Sequence, residues 1–241
     1  MANPDNPSAR HGPRTPFPGG PLAGFTVGVV AARGHDELVA ALAARGARVL
    51  DAPVRSLAER TARREVHAVT FIGAPALVTF LAAADACGRR AAVVDAMRAD
   101  VVPVASGPAP GRRLRVLGVP AVWPGRAGLA ALVRTVTVTL PTRARRDMEV
   151  AGRHVVLQGD ALLVSGESLR LTPRQAAVVG ALAEHPGRVV SREMLLRRAW
   201  PETGADGHAV EAAIGRLRSA LGQHRDLIRT VPKRGYRLAT G

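Results

Sequence analysis

The chain has 241 residues, 47% of them hydrophobic and 22% charged, which is enough for two ordinary globular domains with separate cores. Thirty-four basic against nineteen acidic side chains give a net charge of +15, a field that attracts polyanions and above all nucleic acid. A single cysteine, Cys87, excludes an internal disulfide framework and a cysteine-rich zinc site, so a reducing cytosol fits and no metal or other cofactor is expected.

Residues 1–21 mix Asn, Pro, Arg and Gly, without the continuous apolar run that a secretory signal or a membrane span needs, and read as a disordered tail. From Phe25 short β-branched runs alternate with helical stretches, the signature of a parallel sheet with crossover helices. Strands are predicted at 25–31, 48–51, 68–72, 101–105 and 121–123. Asp36 is placed to cap the first helix, Leu38, Val39 and Leu42 supply its inner face, and Gly46 suits a left-handed C-terminal turn. Leu77, Phe80, Leu81 and Ala84 form a second stripe, with Cys87 near its end as a small buried thiol, and Leu129, Leu132, Val133 and Val136 form the last. The charged stretch 56–65 lacks a convincing stripe and reads as a spliced connection. Residues 22–141 are thus expected to form a flavodoxin-like, doubly wound α/β domain, followed by a polar linker at 142–147.

Residues 148–241 read differently. Short antiparallel strands broken at Ala151-Gly152, Gly159-Asp160 and Ser165-Gly166 lead to Thr172-Pro173-Arg174-Gln175, a capping box with proline at the first helical position. His185-Pro186-Gly187 ends that helix, Ser191 caps a second that Pro201 stops, and a third runs to Leu221. Three helices between an antiparallel sheet and a terminal hairpin make a winged helix-turn-helix.

In the third helix Val210, Ile214, Leu217 and Leu221 recur at helical spacing and form the buried stripe. His208, Ala212, Gly215, Arg216 and Ser219 then face away, with Arg218 on the flank. Small residues at 212 and 215 let the backbone approach a groove, and Arg216 is the candidate to fork onto a guanine edge. Arg218 is expected to hold a phosphate. Lys233, the only lysine of the chain, and Arg234 sit on the hairpin tip, suited to phosphate contact or to the minor groove of double-stranded DNA. Tyr236 reads as a core aromatic of the wing.

These residues, in order, resemble the OmpR/PhoB-type winged-helix domain of bacterial transcription regulators. The resemblance rests on Leu171-Thr172-Pro173, on Gly187 to Glu193 with Trp200, on Val210-Glu211 with Arg216-Leu217-Arg218, and on Arg229-Thr230-Val231 with Gly235-Tyr236-Arg237-Leu238. It implies a third helix in the major groove, a wing on the adjacent backbone or minor groove, and a loop, here 201–207, that can face RNA polymerase. The chain departs from the family at Ala213, where a bulkier polar residue is usual.

Regulators of this type usually carry a phosphoacceptor domain, which needs an acidic pair after the first strand, an aspartate after the third and a lysine after the fifth. Here Ala32-Arg33 and Gly73-Ala74 stand after the first and third strands, and no lysine exists outside the wing, so aspartyl phosphorylation is not expected. The first domain instead resembles one lobe of uroporphyrinogen-III synthase, on Pro21 to Val27, Ala31-Ala32-Arg33, Arg45 to Val49, Ala68 to Phe71 with Ala74-Pro75-Ala76, and Gly107-Pro108 with Leu117-Gly118-Val119. That synthase binds substrate between two lobes, and a single lobe makes no such cleft. A sensor or assembly module is therefore expected rather than an enzyme. Arg33, Gly73, Ser106 and Gly107, at strand ends near helix starts, mark where a small-molecule effector would bind if the domain is not simply a packing unit. The function expected is a cytoplasmic, nucleoid-associated, sequence-specific DNA-binding regulator, alone or as a homodimer, without membrane attachment. The rival is a tetrapyrrole synthase with an accessory DNA-binding domain.

Overall fold

The computed structural model describes residues 16–201 and 206–240. Its first part is a parallel sheet of β1 (Thr26–Ala31), β2 (Arg48–Leu50), β3 (Ala68–Ile72) and β4 (Val102–Ala105) in the order β2-β1-β3-β4. Helices α1 (His35–Ala43) and α6 (Leu129–Ala144) cover one face through Leu38, Leu42, Leu132, Val133, Val136 and Leu140. On the other face lie α2 (Val54–Ala62), α3 (Gly73–Ala86), α4 (Arg90–Ala99) and α5 (Pro108–Val116). Strand order and two-sided cover are those of a doubly wound α/β layer.

Four details of this domain differ from the sequence expectations. The predicted fifth strand is reduced to one parallel bridge, Val104 to Val122, because Pro120 and Pro124 flank it and restrict the amides available for a ladder. The stretch read as a connection is the helix α2. Its buried stripe is only Leu57, Ala58, Thr61 and Ala62, small residues with little hydrophobic signal. Leu57 packs where a Cβ on Gly28 of β1 would otherwise stand, so a glycine inside a strand marks the helix that crosses it. Asp36 lies in the first turn of α1, while Gly34, at φ 67°, occupies the cap position. Cys87 is half-buried, its Sγ 3.4 Å from the oxygen of Ala84.

The second part opens with an antiparallel meander of β5 (Arg145–Val150), β6 (Arg153–Gln158), β7 (Ala161–Val164) and β8 (Glu167–Arg170). Helices α7 (Pro173–Ala183), α8 (Arg192–Ala199) and α9 (Gly207–Leu221) follow, then a 3₁₀ turn (Gly222–Leu227) and the hairpin of β9 (Ile228–Val231) and β10 (Gly235–Leu238). Thr172 and Gln175 form the complete reciprocal capping box, and Ser191 accepts from the amide of Met194.

No linker separates the two parts: α6 ends at Ala144 and β5 starts at Arg145, whose guanidinium grips Asp147 at 2.7 and 2.8 Å. The central strands of the meander, β6 and β7, are buried on both faces. Met148, Val150, Val155, Leu157 and Leu162 face the winged-helix core, whereas Val156, Ala161 and Leu163 pack with Phe17. Strands apolar on successive residues, such as Val155-Val156-Leu157, suit that position. Phe17 is 6% exposed, so the expected tail is ordered at least from there, and residues 1–15 lie outside the described residues.

The β6–β7 turn plugs into the start of the parallel sheet. Nε2 of Gln158 donates to the oxygen of Ala23 at 2.8 Å, and the Asp160 amide donates to the oxygen of Gly24 at 2.8 Å. Gly24, at φ +84°, and Gly159, at φ +56°, approach so closely that a Cβ on either would strike the backbone of the other loop. Inside this contact Nδ1 of His67 accepts from the Thr26 amide at 2.9 Å, while Nε2 faces the Asp160 carboxylate at 3.5 Å. Nδ1 must keep its lone pair for that bond, so neutral His67 carries its proton on Nε2, toward Asp160.

Candidate nucleic-acid interface

Helix α9 starts at Asp206, whose carboxylate accepts from the amides of His208 at 3.0 Å and Ala209 at 3.3 Å. Val210, Ala213, Ile214, Leu217 and Leu221 are buried against α7 and the meander. His208, Ala212, Gly215, Arg216 and Ser219 are exposed, on the side that the periodicity assigned to them. Ala213 points into the core at 3% exposure, so the departure from the resembled family lies on the inner side of the helix.

Arg216 is exposed and makes no ion pair or hydrogen bond among the described residues. Its neighbours are tied down. Ser219 donates to the oxygen of Gly215 at 3.1 Å, and Glu211, the acidic residue of this face, is engaged by Arg192 at 3.1 Å and lies 3.9 Å from His208.

Arg218 is already bonded within the chain. Its Nη2 donates to the oxygen of Ile228 at 2.9 Å and to Oγ1 of Thr230 at 2.9 Å, so the guanidinium fastens α9 to the wing. The hairpin folds back along the end of the helix, on the flank that Arg218 occupies, and offers an acceptor within the structure. Lys233 and Arg234 are exposed at the tip as expected, with Lys233 in the left-handed region at φ 59°. The wing is anchored by Gly235, where a Cβ would collide with the Val190 oxygen, and by Tyr236, which exchanges backbone hydrogen bonds with Val190 and is 4% exposed. Sequence reasoning missed Arg229. It is exposed on β9, opposite Arg237 in register, and adds a third exposed cation to the wing. Strand alternation from buried Ile228 was the signal available for it.

Of the second expected site, Gly73 and Ser106 meet, the Gly73 amide donating to Oγ of Ser106 at 3.0 Å. Gly107 caps α5, and Arg33 is exposed beyond β1. Two cavities among the described residues lie elsewhere, in the winged-helix core and beside Phe17 and Gln158. No group of three metal-ligating side chains and no helix long and apolar enough to cross a membrane occurs among the described residues. The loop 201–207 is described only at its ends.

Residues 166–238 match the family model "Transcriptional regulatory protein, C terminal". The transcriptional activator CadC of Escherichia coli (strain K12) is 36% identical over 78 residues, 31% of this chain and 15% of that protein. The transcriptional regulatory protein CutR of Streptomyces coelicolor is 34% identical over 113 residues, 46% of this chain and 50% of that protein. The phosphate regulon transcriptional regulatory protein PhoB of Escherichia coli (strain K12) is 29% identical over 117 residues, 47% of this chain and 50% of that protein. The chain thus spans half or less of the length of these relatives. Among solved structures, the DNA-binding domain of E. coli CadC is 30% identical, with 41% of this chain and 92% of that chain covered and a TM-score of 0.34.

Proposed function

We propose that the chain is a sequence-specific, double-stranded-DNA-binding transcription regulator of the OmpR/PhoB type. Helix α9 lies in the major groove, and the tip of the wing lies on the neighbouring backbone or minor groove. The observation that carries this reading is Arg216: an unpaired guanidinium on an exposed helical face, beside Ala212 and Gly215, next to a wing tip with Lys233 and Arg234. The relatives are named as transcriptional activators and regulatory proteins, which supports a regulator rather than an enzyme.

In this reading the α/β domain is a sensor or assembly module that does not use aspartyl phosphorylation. Its descent from one lobe of a uroporphyrinogen-III synthase is supported by the residues quoted above, and hydroxymethylbilane turnover tests for residual activity. The junction of Gly73, Ser106 and Gly107 is the place for an effector, and loop 201–207 is the surface for RNA polymerase. A protein with this role acts in the cytoplasm, at the nucleoid. If it binds as a homodimer on one face of the duplex, half-sites lie about 10–11 bp apart.

The test is retention of fragmented genomic DNA at two salt concentrations, with sequencing of what is kept. A sequence motif enriched at the higher salt is the expected result. Uniform retention that disappears with salt would reduce α9 to nonspecific charge.

A further inference from the structure

Most acidic residues of the α/β domain are engaged in local pairs: Glu59 with Arg55, Glu65 with Arg63, Asp100 with Arg64, Asp85 with Arg90, and Asp95 with Arg98. On α5, by contrast, Arg112, Arg113 and Arg115 are exposed and have no acidic partner among the described residues.

Arg115 is held in place. Its guanidinium lies 4.2 Å from the centroid of the Trp123 ring, and that ring fills the space a side chain at Gly111 would need. A guanidinium stacked on an aromatic has already lost much of its rotamer freedom and keeps its N–H edge directed outward.

Chain topology brings this cationic turn to the end of the sheet where the winged helix docks. The Val102 amide at the start of β4 donates to the oxygen of His67 at 2.9 Å, and His67 is the residue that faces Asp160 of the β6–β7 turn. Helix α5 follows β4 and runs back toward that end. Its last turn meets the last turn of α4, where Nη2 of Arg98 donates to the oxygen of Leu117 at 2.7 Å.

Resting on the proposal that the winged helix binds DNA, we infer that the arginines of α5 form a second backbone-contact surface, engaging phosphates of the duplex that flanks the site read by α9. Forked cationic donors without a neighbouring acid suit phosphate oxygens. A second copy of this chain does not fit, since two-fold pairing through α5 would set arginine against arginine. An acidic protein surface fits less well, because the centre of such an interface calls for apolar anchors and Val116 is the one large apolar side chain that α5 exposes.

The test measures equilibrium binding of the full-length protein against salt, on a duplex limited to the selected site and on one extended by about two helical turns at each side. Three phosphate contacts steepen the slope of log K against log salt by nearly 3 on the longer duplex, roughly 40-fold between 50 and 200 mM. The triple variant R112Q/R113Q/R115Q should lose that increment and bind the short duplex like the unmodified protein. R112Q/R113Q keeps the Arg115–Trp123 stack and should lose about two-thirds of it, which preserves the test if the triple variant folds poorly. Arg216→Ala should weaken both duplexes alike. Equal slopes on the two duplexes for the unmodified protein, or an unchanged increment in the variants, would overturn the inference. So would variants that keep the increment and instead lose an acidic protein partner. A protein that does not distinguish its site from random duplex would overturn the underlying DNA reading, which is a separate outcome.

Discussion

Lys233 and Arg218 illustrate how neighbouring cations of one site take different roles. Lys233 is exposed at the tip of the wing, where a phosphate contact contributes charge without sequence information. Lys233→Ala should therefore weaken binding to all sequences alike and flatten the salt slope by about 1, read from titrations on selected and random duplexes. Arg218 holds the wing to α9 through Ile228 and Thr230. Arg218→Ala should lower the melting temperature, and in its background Lys233→Ala should lose most of its effect on the slope. If Arg218 held a phosphate instead, the two substitutions would be additive and the melt would not change. The sequence made Arg216 legible because the helical period alone turns it outward. It did not make the Arg218 clamp legible, since that bond reaches ten residues ahead and exists only once the hairpin has folded back.

Among the elements, the β6–β7 turn is the most informative, because its Asp160 faces His67, the residue before β3, and these two shielded groups have opposed shifts. Burial lowers His67 to about 4, helped by the charge of Arg170, and burial raises Asp160 to about 6 against the pull of Arg170 and Arg48. The raised Asp160 makes the folded state more favourable as pH falls from about 6 toward 4. The lowered His67 makes the folded state less favourable as pH falls from 6.5 to about 4. The two contributions oppose each other over nearly the same window. The unmodified protein should therefore show little change in melting temperature from this pair. Asp160→Asn should uncover the histidine and melt progressively earlier as pH drops from 6.5 to 4. His67→Gln should uncover the aspartate and melt later over the same range. Equal pH profiles for all three proteins would show that the turn does not bury the pair. Capping boxes and turns in this region were legible because they are local, as Thr172 and Gln175 show. Helix α2 was not legible, because its inner face is alanine and threonine around a single leucine.

At the scale of the whole molecule, α6 runs directly into β5 and the two domains share contacts through Gln158, Asp160 and Phe17. Phe17, from the N-terminal side, packs on the face of the meander opposite to the one that packs on α7 and α9. Truncating a buried phenylalanine costs about 3 kcal/mol, so Phe17→Ala should lower a single shared unfolding transition by several degrees in calorimetry. Two transitions, with neither moved by the substitution, would show instead that the domains fold independently. This junction was hidden from sequence reasoning because its polar contacts, such as Gln158 with Ala23, join residues 135 positions apart and carry no periodic signature. The two-domain order and the winged helix itself were legible, since caps, turns and stripes follow one another without a gap from Thr172 to Leu238.

Base-edge reading by α9 through Arg216 is tested most directly by the ratio of affinities for a selected site and for a random duplex, before and after Arg216→Ala. A ratio of at least about a thousand is expected for the unmodified protein. Arg216→Ala should lose roughly 1–3 kcal/mol on the selected site, confined to the relaxation of one base position, with random-duplex binding reduced much less. Equal losses on both duplexes, or no loss on either, would mean that Arg216 does not read a base edge.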